Sequence, residues 1–471
     1  MHSAPSDSAA TFVLGGLSER RATPADLRTA RGTPSETDPS GSALACQTVS
    51  AGPSDVDESR AGTGESSKKS KNTSREPLPK GFFVLWTTVV IDLIGFGVAI
   101  PVLGPFARDR FGASGLMVGV IGSAFSAAQF LVARPIGRLS DRIGRKPVLV
   151  ASLLGTTVAS LATGFSTSLW MLVAARAFDG ASGATVGVAQ ASVSDIAPPH
   201  RRAQLLGMLG AAFGIGFTIG PAIGGLASFL GGPRAPFFVA AAIAAANTVA
   251  AIVRLPETRG LAAAEAATPD GSDPRLARSW RENSLPRVLA VSVLAVFAFS
   301  GFENMFSIYG QRRIGFTQTT AALAFVVIGV FLSAVQGGLI RPANERFDER
   351  LLLRGGLWLT TGGLLLLAFT TNWWLLVPSI LLIALGQGVV SPTTQSAVAN
   401  RIAPESRGAV MGVQQSWSSA ARVAGPLVAG FAFDHIGVRV PMFGAALLFA
   451  VAAVLARAVP SFDRVVPPAP S

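Results

Sequence analysis

The chain has 471 residues, 49% hydrophobic and 14% charged, with a mean hydropathy of +0.48. That balance indicates a membrane protein, so the formal charge of +12 reads as cationic loops at a membrane face and excludes a nucleic-acid-binding role. A single cysteine, Cys46, and three scattered histidines, His2, His200 and His435, exclude an intrachain disulfide and a zinc cluster, and neither metal nor cofactor is expected.

Residues 1–80 are rich in Ser, Thr, Pro, Gly and Asp without apolar periodicity, which predicts a disordered cytoplasmic tail. Its start, Met1-His-Ser-Ala-Pro, lacks a charged segment followed by an apolar core and is not read as a secretory signal. Twelve apolar runs follow, each long enough to cross about 30 Å of hydrocarbon as a helix. The first six lie near 81–105, 114–136, 147–166, 169–192, 203–229 and 234–254. The others lie near 287–310, 318–340, 355–371, 373–396, 408–432 and 439–458. The expected fold is therefore an all-α integral membrane protein of two six-helix bundles, 81–254 and 287–458. A cytoplasmic central loop, 255–286, joins them, and a cytoplasmic tail, 459–471, closes the chain. The charges fix its orientation. With both termini inside, and charges at span ends counted with the adjoining loops, 31 of the 39 Lys and Arg fall in cytoplasmic segments, 6 in external loops and 2, Arg176 and Arg422, deep within spans. Without the long tail the contrast is still 21 against 6.

Span 1 contains Asp92, Gly95, Gly97 and Pro101. Asp92 lies about 15 Å along the helix at ~1.5 Å per residue, near the membrane centre. Between spans 2 and 3, Gly137-Arg-Leu-Ser-Asp141-Arg142-Ile-Gly144-Arg145-Lys146 forms a short charged turn. Gly137 and Gly144 allow the tight backbone, and Pro147 is suited to start the next helix. Asp141 amid these cations indicates a specific ion pair. Arg134, before Pro135, is left to snorkel to the inner surface. Span 4 holds Arg176, Asp179 and Gly180, with Arg176 in reach of Asp179 at i,i+3. Charges this deep in a span face a cavity or a partner, and either coupling or a static pair fits them. Asp195 closes span 4 at the inner side, in reach of Arg142 or Arg145. Span 5 carries Gly207, Gly216, Gly220, Pro221, Gly224 and Gly225, small residues that let helices approach closely in lipid. Glu303 of span 7 and Arg422 of span 11 are the remaining deep charges, set to neutralise each other or face the outer vestibule. An internal repeat supports the two halves: Ile196-Ala-Pro198 recurs as Ile402-Ala-Pro404, and Gly207 and Gly220-Pro221 recur as Gly412 and Gly425-Pro426.

The 137–146 segment resembles the helix 2–3 loop signature of the major facilitator superfamily. The series Gly207 to Gly225 matches the antiporter signature of its twelve-span drug:proton antiporters, and span 1 is similar to that of tetracycline-type exporters. The resemblance implies that Gly137, Asp141, Arg142, Gly144, Arg145, Lys146 and Asp195 latch the inner face. It implies that the span 5 glycines pack against span 8 and govern outer-side opening, and that Arg176 takes part in proton transfer. It further implies a monomeric secondary transporter in the bilayer of the cell membrane, exporting drug-like small molecules against protons by alternating access. Asp92, Arg176, Asp179, Glu303 and Arg422 are its expected coupling and substrate residues. Such tetracycline exporters carry acids in spans 3 and 9, and 147–166 and 355–371 contain none. Uptake symport or lipid translocation on the same fold is the alternative, and a non-transporting scaffold would not need Asp92 or Arg176. No Gly-x4-Gly-Lys-Ser/Thr occurs, which argues against an ATP-driven pump. No enzymatic set of nucleophile and base is present.

Overall fold

Helices account for the regular structure of the computed structural model, which describes residues 78–183, 185–198, 201–258, 285–400 and 407–458. All belong to one unit, Glu76–Ser471. Most of the expected tails and central loop, and the Ile402-Ala-Pro404 copy of the repeat, lie outside the described residues.

The first half of the chain forms α1 (Phe82–Phe111), α2 (Gly115–Ile143), α3 (Arg145–Gly164), α4 (Leu169–Ser182), α5 (Thr185–Ile196), α6 (Arg202–Gly231) and α7 (Ala235–Arg254). The second forms α8 (Leu285–Ile314), α9 (Gln318–Ala334), α10 (Ile340–Arg346), α11 (Glu349–Phe369), α12 (Trp373–Asn400), α13 (Arg407–His435) and α14 (Val440–Leu455). A π-helical turn, Val335–Leu339, joins α9 to α10. Caps account for several boundaries. Ser114 and Ser168 accept from Met117 and Met171 amides at the starts of α2 and α4, and Thr317 with Thr320 forms a capping box at α9. Gly112, at φ 64°, ends α1 in a conformation that glycine adopts without strain.

Ten described helices are long and apolar enough to cross a membrane. Two of the twelve expected spans are not among them. The run 169–192 is split around Gly183 into α4 and α5, of 14 and 12 residues. The run 408–432 lies in an unbroken helix, α13, whose Gln414, Gln415, Ser416 and Arg422 dilute its apolar character.

The charged turn also differs from expectation. Gly137 to Ile143 are helical and extend α2, so the link to α3 shrinks to Gly144, at φ 110°. Pro147 is the third residue of α3 and not its start. Nothing in Gly137–Ile143 breaks a helix, and water satisfies its polar side chains as well on a helix as on a turn.

Buried side chains group unevenly. One cluster joins both halves, but its first-half members, Ala99 to Ile121, Leu172 and Phe237, all lie at the end of the molecule away from Gly144. Near Gly144 the first half has its own cluster, including Phe82, Leu85, Leu149, Val193 and Leu205. The second half has another there, built of Leu285, Val288, Leu289, Ala397, Val398 and Val410.

Candidate functional site

The deepest charges of the first half sit on α4. Arg176 and Asp179 are 8% and 6% exposed and paired at 2.6 Å. The guanidinium also lies over Phe125 at 4.9 Å and near Phe96 at 6.0 Å from the ring centres, so its charge is met by aromatic faces as well as a carboxylate. Its Nε has no hydrogen-bond partner among the described residues. Gly180 presses on the Phe125 backbone of α2, and the Gln129 side chain donates to the Gly183 carbonyl at 2.9 Å, holding α2 to the point where α4 ends.

Asp92 on α1 is half-buried, within electrostatic reach of Asp179, and faces the buried Thr185 at the start of α5. No cation lies within ion-pair distance of it among the described residues. The break in the fourth span thus falls beside the central acids. Glu303 on α8 is half-buried and feels the charge of Arg422 on α13, but the two form no ion pair within 4 Å. Arg422 is exposed. The structure therefore brings Asp92, Arg176 and Asp179 together and sets Glu303 and Arg422 apart as a looser couple.

At the α2–α3 link Arg145 is the hub. Its Nη1 meets Asp141 at 2.6 Å and Ser140 Oγ at 2.7 Å, and its Nε meets Asp195 of α5 at 2.9 Å. Asp195 thus pairs with Arg145 and not Arg142, while Lys146 and Arg142 form no ion pair among the described residues. Glu257, just past α7, accepts from the Arg145 and Lys146 amides at 2.8 and 3.1 Å and so caps α3 from outside the helix. A side chain at Gly144 would collide with this carboxylate.

The glycines of α6 face α1 and not chiefly α9. Gly216 packs on Leu93, Gly220 on Gly97 and Ile94, and Gly224 on Val98. Only Gly225 of the set meets α9, at Ala322, and Gly207 faces open space. The reason is spacing: 216, 220 and 224 recur at i+4 on one face, which Gly97 lets α1 approach. The α6–α9 contact instead centres on Pro221. That proline removes the amide that would bond the Phe217 carbonyl, and Gly329 of α9 packs against this carbonyl. Ser333 adds bonds to Thr218 and to the Gly214 carbonyl at 3.1 and 3.0 Å.

Apart from the mid-helix bonds of Ser333, hydrogen bonds between the halves lie toward the end away from Gly144. Ser307 donates to the Pro101 carbonyl at 3.0 Å, Ser123 to the Val423 carbonyl at 2.6 Å, and Gln311 to Asp109 at 3.3 Å. Asp434 of α13 accepts from the Gly115 and Leu116 amides of α2 at 2.8 and 2.7 Å. No group of His, Cys, Asp and Glu among the described residues is arranged to hold a metal.

The chain matches the Major Facilitator Superfamily over residues 85–346 and 339–470. It belongs to that superfamily. Tetracycline resistance protein, class C, of Escherichia coli is 30% identical over 353 residues, covering 73% of this chain and 87% of that protein. Quinolone resistance protein NorA of Staphylococcus aureus is 26% identical, covering 77% and 92%. The crystal structure of the human organic anion transporter MFSD10 (TETRAN) superposes with a TM-score of 0.60 at 27% identity, covering 80% of this chain and 98% of that one. As a multi-pass facilitator the chain groups with transporters and resistance proteins, not enzymes.

Two of this facilitator's structural residues carry no local signal in its sequence. Glu257 lies 112 positions from the amide it caps, and Asp434 lies 319 from Gly115, so no local pattern joins them. Gly97 was noted on span 1, but only the crossing of α1 with α6 reveals its partner.

Proposed function

We propose that the protein is a twelve-span secondary transporter of the cell membrane, monomeric, with both termini cytoplasmic. In this reading it exports small drug-like molecules in exchange for protons by alternating access. Bundles 81–254 and 287–458 rock about a central site in which Asp92 carries the coupling proton. Arg176 and Asp179 support it, and Glu303 and Arg422 attract substrate from the outer side.

One observation carries this reading. Two acids, Asp92 and the buried Asp179, cluster with a single arginine in the first half, and the two halves share a core only at the end away from Gly144. Intramembrane charge of this kind is costly and is retained where ions or substrate pass. With the Gly144 link on the cytoplasmic side, as the 21-to-6 charge contrast supports, the described contacts close the outside and the halves part toward the inside. The relatives' tetracycline and quinolone resistance supports efflux as the direction. Spans 3 and 9 lack acids, which points to a substrate other than tetracycline.

The test is proton movement in acidified inside-out vesicles given a panel of compounds. An antiporter lets protons out as an exported compound enters the lumen, so a substrate collapses the pH gradient. Movement of compound and protons in the same direction overturns export by antiport, and silence to the whole panel favours a scaffold.

A further inference from the structure

Arg134 and Arg138 of α2 have no place in the site above, and Arg142, expected in the inner-face latch, forms no ion pair there with a described residue. Arg134, Arg138 and Arg142 follow at i, i+4 and i+8 and therefore share one face. All three are exposed, and none forms an ion pair with a described residue, because Asp141 is held by Arg145. Arg134 lies about 28 Å along α2 at ~1.5 Å per residue, with Arg138 and Arg142 about 6 and 12 Å beyond. Hydrocarbon is about 30 Å thick, so the row runs from its border through the headgroup layer.

The register of α2 against α13 shows what the row borders. Gly115 meets Gly430, Gly119 meets Pro426 and Ser123 meets Val423, an antiparallel pairing. Continued along the same row, Arg134 would stand opposite Gly412. That contact is not made: Arg134 is exposed and Gly412 has open space around it. The arginines therefore line the edge where the halves separate. Beside them Leu131, Leu139 and Ile143 are 71%, 46% and 53% exposed. Unpaired guanidinium groups next to bare aliphatic side chains at this depth match an anionic headgroup and its acyl chains. Arg prefers phosphate for its planar, two-point donor geometry.

We infer that the Arg134–Arg138–Arg142 face of α2 binds anionic phospholipid headgroups of the leaflet at the Gly144 end. The headgroup phosphate is held by Arg134 and Arg138, and an acyl chain lies along Leu131. The inference needs no assignment of the transported substrate.

Native mass spectrometry of the full chain, released from bilayers of equal phosphatidylglycerol and phosphatidylcholine, tests it. The wild type should retain phosphatidylglycerol in preference. Arg134→Gln and Arg138→Gln should each weaken that preference roughly five-fold, while retention of phosphatidylcholine stays unchanged. The charge-keeping pair Arg134→Lys with Arg138→Lys should preserve only part of it, since the charge stays and the two-point geometry is lost, and Arg254→Gln, elsewhere at the same end, should preserve all of it. On the wild type itself, 0.5 M salt should reduce the preference. Equal phosphatidylglycerol retention in the Arg134→Gln, Arg138→Gln pair overturns the site. So does a wild-type preference that salt leaves intact, or displacement by millimolar inorganic phosphate.

Discussion

Asp92 and Asp179 are neighbouring acids with opposite surroundings. Asp179 is committed to Arg176 at 2.6 Å, whereas Asp92 has no cation at ion-pair distance among the described residues and faces only the Thr185 hydroxyl and the Asp179 charge. A carboxylate whose charge no cation fixes is the one suited to take up and release a proton in each cycle. Asp92→Asn, a mimic of the neutral form, should abolish proton-driven export in vesicles yet permit exchange of substrate down its own gradient. Accumulation against a gradient by that variant would move the coupling site to Asp179 or Glu303. For Asp179 the expected loss is of a different kind. Asp179→Asn strands the Arg176 charge in a buried, aromatic setting, a change that costs about 3–5 kcal/mol in such pairs. The thermal midpoint in detergent should fall clearly for Asp179→Asn and recover in part when Arg176→Gln is added. A midpoint unchanged by the single substitution would mean that water reaches the pair.

At the scale of elements, small residues decide which helices touch. A side chain at Gly220 would begin 2.6 Å from the Gly97 Cα, and backbone cannot yield as a flexible side chain can. Gly220→Leu should therefore separate α1 from α6 and destabilise the protein by more than the about 1–3 kcal/mol of ordinary overpacking. Gly207→Leu, into open space, should be tolerated, and comparing folded yields of the two variants after solubilisation decides the matter. The glycine pattern was legible in the sequence as close packing, but its partner was not. A helical row specifies a face, while the neighbour that fills it depends on tertiary crossing. The same limit applies to the 137–146 segment. Its charges and glycines mark a connection between two helices, but only Gly144 turns, because a polar stretch without a breaker stays helical in water. The split of the fourth span at Gly183 had no composition signal, since Gly is common in these helices and Pro is absent there. The apolar runs themselves were readable because lipid leaves the backbone few alternatives to helix.

Across the whole molecule, the end away from Gly144 is held by more than the shared core, and Asp434 stands there where the helix dipole disfavours an acid. It occupies the last turn of α13, where a cation is the stabilising choice. Its oxygens instead receive the first amides of α2, Gly115 and Leu116, so the cost within one helix is offset at the start of another, in the other half of the chain. Burial works against the charge of Asp434, but the Leu116 and Gly115 amides, the Ser114 hydroxyl and His435 outweigh it and hold the carboxyl below the usual carboxylate range. The sign of the pH dependence follows. A depressed pKa gives a contribution fully present above the ordinary carboxylate value, about 4, and lost as pH falls through the lower value of the folded state. Spin labels at Arg110 and Ile436, flanking this junction, should report one short distance from pH 8 to pH 5, broadening only below about pH 4. Asp434→Asn should broaden the distribution at every pH, because a neutral amide loses the attraction to the α2 start, and should erase the acid response. A narrow distribution in that variant at neutral pH would show that the glycine contacts of α2 with α13 close this end without the cap.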